Sequence, residues 1–365
     1  MSEPRDGSLP RVRPLRLVPG PEIEAWNDPE IEAYARASLR DGVPAPTSLA
    51  IEARAPRVLR AFGQFWWTAF RGGTVDPGLK ERIRLVMALA AGCTYCATSA
   101  PVVKDDAAAA DETGADGADP DYLVASGRDA LALDAADRLA SRPWALDDEL
   151  RAALVAAFSP GEVAELLAFM AWQAGGPRAI RAWGAEAYKP GARVDPAALP
   201  VPLAYAGATG PVPGVASLPA ADPVATLARS AATGWPPAAW VRMLAPRPEI
   251  LAAWCALSDA TTTGDPLGDR LGAIVRSTVG QALLVPAWAP GAPVPATPAE
   301  RLVADYARAL AVRGEVPDDL RAAALETFGD AGVVQLGFAV ASQAGPALVV
   351  RWFGGGAPRP IALVD

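Results

Sequence analysis

The chain repeats itself, and an internal repeat constrains a fold more than any single motif, because both copies must satisfy one pattern of elements. The segment L-K-E-R-I-R-L-V-M-A-L-A-A-G, from Leu79 to Gly92, matches L-G-D-R-L-G-A-I-V-R-S-T-V-G, from Leu267 to Gly280, at an offset of 188. In this register Glu81 falls on Asp269, Arg82 on Arg270 and Gly92 on Gly280. A second match joins Asp148–Phe158 to Asp318–Phe328 at an offset of 170 and continues through Gln173-Ala174-Gly175 and Gln343-Ala344-Gly345. Upstream, P-R-V-L-R-A-F from Pro56 answers P-E-I-L-A-A-W from Pro248. The change of offset by 18 residues predicts an insertion in the first copy, which the acidic, alanine-rich stretch from Lys104 to Asp121 supplies as a surface loop.

These blocks divide the chain into an arm (1–20), a first domain (21–188), a proline-, glycine- and alanine-rich linker (189–223) and a second domain (224–365). The linker run G-A-T-G-P-V-P-G is no phosphate loop, since no strand precedes it and no G-K-[ST] follows. Alanine, leucine, valine and arginine dominate, and period-two alternation is scarce, so the reading is all-α. Ile83, Val86, Met87 and Ala90 recur at helical spacing and predict one apolar face, with Glu81, Arg82 and Arg84 elsewhere. Asp76-Pro77 marks the start of that helix.

A net charge of -8 argues against nucleic acid as a partner. The N-terminus lacks the apolar run of a signal peptide. The weakly charged stretch from Val333 to Val350 carries Gln335, Ser342, Gln343, Gly345 and Pro346, and predicts a buried helix rather than a membrane span. A cytoplasmic location is expected. The chain has no histidine. Imidazole-dependent nucleophiles and metal sites are therefore excluded, and acid–base work falls to carboxylates, thiols, tyrosines, lysines or water.

Three cysteines make no disulfide framework, but Cys93 and Cys96 stand three apart, so a helix would place both thiols on one face. Gly92 ends the preceding helix. If a new helix starts at Cys93, its free N–H groups stabilise a thiolate there. Two buried structural thiols are the alternative reading. Zinc is not expected, because a closed site needs about four ligands. Cys255, in A-A-W-C-A-L, reads as a packing residue. Glu81, twelve residues before Cys93, is a candidate proton carrier or one half of a surface ion pair.

The pattern E-(x11)-C-T-Y-C, from Glu81 to Cys96, resembles the alkylhydroperoxidase D-like and carboxymuconolactone decarboxylase superfamily. The Pro-x-x-Leu helix before it and the F-(x14)-Q-A-G region after it are similar too. The resemblance implies two tandem all-helical domains of that kind forming a pseudo-dimer, and assembly into a homo-oligomer, a dimer or trimer. It implies Glu81, Cys93 and Cys96 as catalytic residues with no cofactor, and a small-molecule substrate and a thiol reductant protein as partners. The family's histidine positions hold Ala100 and Tyr95 here, which makes Tyr95 the stand-in donor. Gln281 and Leu284 stand where the second copy's cysteines would be. Three functions follow: a thiol oxidoreductase of peroxidase type; a non-redox cyclase, isomerase or decarboxylase with Trp66, Trp67, Trp172 and Ser99 lining a substrate cavity; and a non-catalytic binding protein.

Overall fold

The computed structural model describes residues 11–12, 48, 51–93, 95–96, 125–185, 220–233, 235–285, 288 and 293–353. Ser99, Ala100, the Lys104–Asp121 insertion, most of the 1–20 arm and most of the 189–223 linker lie outside them. Every regular element among the described residues is helical. In the first half these are α1 (Pro56–Trp66), which runs on as a π-turn through Arg71, α2 (Pro77–Ala90), α3 (Gly127–Ser141), α4 (Asp148–Ala157) and α5 (Pro160–Ala182). The second half holds α6 (Pro223–Thr233), α7 (Ala238–Leu244), α8 (Pro248–Thr262), α9 (Gly268–Ala282), α10 (Pro298–Arg313) and α11 (Asp318–Phe353).

The chain writes most helix starts explicitly. Asp76 accepts from the Leu79 amide at 2.9 Å to open α2, and Pro77 follows it. Ser159 with Glu162 and Thr297 with Glu300 close capping boxes on α5 and α10. Helix α11 breaks at Gly329, whose φ of 65° and ψ of -178° are non-helical. Ser159, 170 residues earlier, occupies the same joint between α4 and α5.

The ends of α2 and α9 correct the repeat register. Around Gly92, Ala91 N–H donates to the Met87 carbonyl, Gly92 N–H to Leu89 and Cys93 N–H to Ala88; around Leu284, the same bonds run Leu283 to Val279, Leu284 to Gln281 and Val285 to Gly280. Gly92 has φ 64° and Leu284 has φ 59°, so each is the left-handed residue that ends its helix. The equivalence is therefore Gly92 with Leu284, an offset of 192, which is also the offset of Pro56 and Pro248. Cys93 and Cys96 correspond to Val285 and Trp288, not to Gln281 and Leu284, and Glu81 corresponds to Ala273. The 188 match sits about one helical turn away, a slip that preserves the apolar face and so escapes a reading of similarity. From 192 to 170 the offset falls by 22 residues, four more than the 188 register implies.

Leucine fits the left-handed region poorly, because its Cβ crowds the following carbonyl. Leu284 is half exposed, so its side chain recovers little burial there. Replacing it with glycine is expected to raise stability by about 1 kcal/mol in urea denaturation.

The two long helices α5 and α11 form the centre. A Cβ on Gly175 would overlap the Ala341 carbonyl, and a Cβ on Gly345 would overlap the Ala171 carbonyl. Both pairs are related by the 170 offset, so the contact is reciprocal: residue i of one helix meets residue j of the other, and j meets i. Helices α1 and α8 also pair across the halves, with Arg57 donating to the Asp259 and Thr263 carbonyls at 3.0 and 2.9 Å. Aromatic rings fill the space between: Phe62 lies 4.6 Å from Trp172 and 5.2 Å from Phe338, and Trp183 lies 5.1 Å from Phe338. Helix α11 is long and apolar enough by composition to cross a bilayer, and its most apolar window is wholly buried inside the protein.

Candidate functional site

Helix α2 ends where the cysteines begin. With Gly92 left-handed, the Cys93 amide turns back to the Ala88 carbonyl at 3.0 Å, a closure that carries Cys93 off the helix and into the interior. Cys93 and Cys96 are joined by a disulfide with a Cα–Cα separation of 5.2 Å. Cys93 is 2% exposed, whereas Cys96 is only partly buried. The Cys96 amide donates to Cys93 Sγ at 3.2 Å. Cys93 and Tyr95 form a small apolar cluster of their own, with Cys96 and Ile180 against it. The Tyr95 phenol oxygen accepts from the Ser48 amide at 3.0 Å.

Glu81 reaches this turn through Arg84. Both Glu81 oxygens accept from Arg84, Oε1 from Nη2 at 2.7 Å and Oε2 from Nε at 2.9 Å, while Arg84 Nη1 donates to the Cys96 carbonyl. The expectation that Arg84 lies off the buried face is overturned: it is buried, as is Lys80, because each guanidinium or ammonium has carboxylate and carbonyl partners inside. Arg84 corresponds to Arg276 in the second half, so the cation is common to both copies while Glu81 and the thiols are not. Arg181 ties the end of α2 to α5, donating to the Ala91 carbonyl at 3.2 Å and to Glu315 at 2.7 Å.

The tryptophans named for a substrate cavity lie elsewhere. Trp67 and Trp172 are buried in the main core, and Trp66 packs against that core while stacking on Phe70 at 3.6 Å. They belong to the aromatic layer of α1, α5 and α11, which is separate from the cluster around Cys93. An open groove of about 390 Å³ between α2 and α3 is lined by Val86, Leu89, Ala90, Leu133, Asp134 and Asp137, none of them aromatic. Cys255 is half-buried on α8, and burial pushes its thiol up to about 11, against the lowering effect of Arg229 at 3.8 Å. No group of three potential metal ligands occurs among the described residues.

A residue that the sequence reading passed over is Glu52. It is 6% exposed, and burial lifts its carboxyl from the usual 4.5 to about 8. Its counterpart identifies it: the Ala55 amide donates to the Glu52 carbonyl at 2.9 Å, as the Arg247 amide does to Leu244 at 2.9 Å, so a carboxyl occupies a position that the second half fills with leucine. The only available signal was E-A-R-A-P aligned on L-A-P-R-P in the 192 register. Because the folded state holds this proton more tightly than the unfolded chain, stability is highest below pH 4.5 as far as this group is concerned and is lost as the pH rises towards 8. Melting temperatures of wild type and Glu52→Gln are therefore expected to diverge over that interval, with the glutamine variant gaining relative stability as the pH rises.

Comparison with family models, curated proteins and solved structures returns no match for this chain.

Proposed function

We propose that this chain is a thiol–disulfide oxidoreductase of the alkylhydroperoxidase D-like kind, built as a fused pseudo-dimer in which only the first half reacts. The pseudo-dimer reading draws on the repeated helix order and on the reciprocal contacts of Gly175 and Gly345. The observation that carries the chemistry is the asymmetry of the cystine: Cys93 is buried and accepts a hydrogen bond from the Cys96 amide, and Cys96 is the less buried partner. An external thiolate attacks Cys96 Sγ, the S–S bond breaks, and Cys93 leaves as a thiolate that the Cys96 N–H stabilises. A second thiol resolves the mixed disulfide, so two thiols become one disulfide and the protein gains two thiols. In the opposite direction the dithiol reduces a hydroperoxide to an alcohol and water and returns to the cystine.

Glu81 serves as a positioning residue in this scheme. It holds Arg84, and Arg84 holds the carbonyl of Cys96. The second half supports no such reaction, since Val285 and Trp288 stand at the thiol positions. The non-redox reading drew on a tryptophan-lined cavity, and those tryptophans pack in the main core.

Mass spectrometry and thiol titration before and after peroxide, with dithiothreitol as donor, test the reading. Wild type is expected to lose two thiols and regain them, and to consume peroxide. Cys96→Ser is expected to abolish turnover, and Cys93→Ser to stop at a sulfenic acid on Cys96 when peroxide is added without the donor. A wild type that forms no reversible disulfide and consumes no peroxide would sink it.

A further inference from the structure

We propose that Arg84 is the electrostatic partner of Cys96: held by Glu81, its guanidinium faces the cysteine turn and stabilises the Cys96 thiolate of the reduced protein. This rests on the thiol reading above and deepens it, because it names what makes the less buried cysteine reactive in a chain without histidine. Arg84 acts through the field at Cys96 and touches no substrate, so it is a positioning residue rather than a catalytic one.

The guanidinium is held on two edges. Its Nε and Nη2 donate to Glu81 at 2.9 and 2.7 Å, and its Nη1 donates to the Cys96 carbonyl. Both side chains are largely buried, so the pair is a fixed dipole whose positive end points at the cysteine turn. Four covalent bonds separate the Cys96 carbonyl oxygen from the Cys96 sulfur. While the hydrogen bond is made, Nη1 therefore lies within about 7 Å of that sulfur in any side-chain rotamer. A cation at this range, shielded from water, favours the thiolate over the thiol. The second half aims the same cation elsewhere. Arg276, at the matching position, donates to the Thr262 hydroxyl at 2.9 Å and lies over the Trp235 ring at 4.9 Å, back towards the end of α8. Ala273 stands there in place of Glu81. The carboxylate that turns the arginine towards the cysteine turn occurs only in the copy that has the cysteines.

The other charged and titratable groups around the turn are committed. Arg181, from α5, donates to the Ala91 carbonyl and pairs with Glu315, and the Tyr95 phenol oxygen accepts from the Ser48 amide. Lys80, one turn earlier on α2, is bound to Glu165 and the Gly72 carbonyl. The carbonyl end of α2 faces the turn and disfavours negative charge there, which the guanidinium offsets. The reaction served by the thiolate balances. The Cys96 proton leaves to solvent, the thiolate attacks the outer oxygen of a hydroperoxide, the O–O bond breaks, and the departing alkoxide takes a proton from solvent. The resulting sulfenic acid on Cys96 condenses with the Cys93 thiol, whose proton leaves with the hydroxyl as water while the S–S bond forms.

The test is the pH profile of Cys96 alkylation by iodoacetamide, read at the Cys96 peptide by mass spectrometry in a Cys93→Ser background so that no disulfide forms. It compares Arg84, Arg84→Met and Arg84→Lys, with circular dichroism to verify folding, and peroxide consumption is measured on the corresponding proteins that retain Cys93. Methionine keeps the apolar length of the side chain and removes the charge. Arg84→Met is expected to move the inflection to higher pH and to slow alkylation at pH 7 at least about fivefold, with lysine restoring part of both. Glu81→Gln, which removes the opposing charge while keeping a hydrogen-bond acceptor, is expected to move the inflection to lower pH. A folded Arg84→Met with an unchanged profile, or a lysine variant no better than methionine, overturns the role of Arg84 while peroxide turnover by wild type keeps the thiol reading intact. A wild type that does not cycle overturns both.

Discussion

Gly345→Val is expected to cost about 3 kcal/mol of stability, and even Gly345→Ala a measurable part of that, when wild type and variants are unfolded in urea. The reason is local and steric. The first side-chain atom at this position would occupy the space of the Ala171 carbonyl oxygen, which is backbone and moves only with the whole of α5. Separating α5 from α11 to admit it would loosen the contacts of Trp172 and Trp183 with Phe338, 5.8 and 5.1 Å apart, where the halves meet. Gly175→Val is expected to act alike through Ala341, because its contact is the reciprocal one. The two effects share one interface and are expected to add incompletely. A Gly345→Val variant with a wild-type urea midpoint would refute the close approach.

Glu165→Ala is expected to cost about 3 kcal/mol, because it takes the carboxylate away from the buried Lys80 and the part-buried Arg247. Glu165, on α5, is fully buried, accepts from the Thr74 and Val75 amides at 2.9 and 3.2 Å, and pairs with Lys80 and Arg247. It thereby fastens the start of α2 to α5 and to the segment before α8. The second half solves the same problem without charge: Gln335, at the 170 offset, donates to the Thr261 and Thr263 carbonyls at 3.2 Å each, and Gly272 stands where Lys80 would be. Glu165→Gln combined with Lys80→Met is therefore expected to recover much of what either change loses alone. A double-mutant cycle in urea measures that coupling, and strict additivity would argue against a direct pair.

Helical character was legible throughout, because alanine-rich segments with apolar residues at helical spacing admit few alternatives. The α2 start at Asp76-Pro77, the boxes at Ser159 and Thr297 and the apolar block from Val333 to Val350 each state their role locally. So did the spacing of Cys93 and Cys96. The register of α9 against α2 was not legible, since a shift of about one turn returns the same residue classes to the same face. Hydrogen bonds at Gly92 and Leu284 decide it. Glu52 was invisible for a related reason: its neighbours in sequence give no sign of burial, and only the matching backbone bonds of Ala55 and Arg247 reveal that it stands in a core position.

The sequence by itself determined that the chain is helical, that several of its blocks match one another and that one of two matched blocks alone leads into a thiol pair after a helix. These follow from local periodicity, capping residues and spacing, which act within a few residues. The tertiary structure alone decided that Cys93 is buried while Cys96 is only partly so, that Glu81 reaches the turn through Arg84, that the tryptophans fill the main core and that a carboxyl is buried at Glu52. Each of these depends on which distant segments exclude water from a group. Burial is a property of the packed assembly, and no stretch of sequence contains it alone.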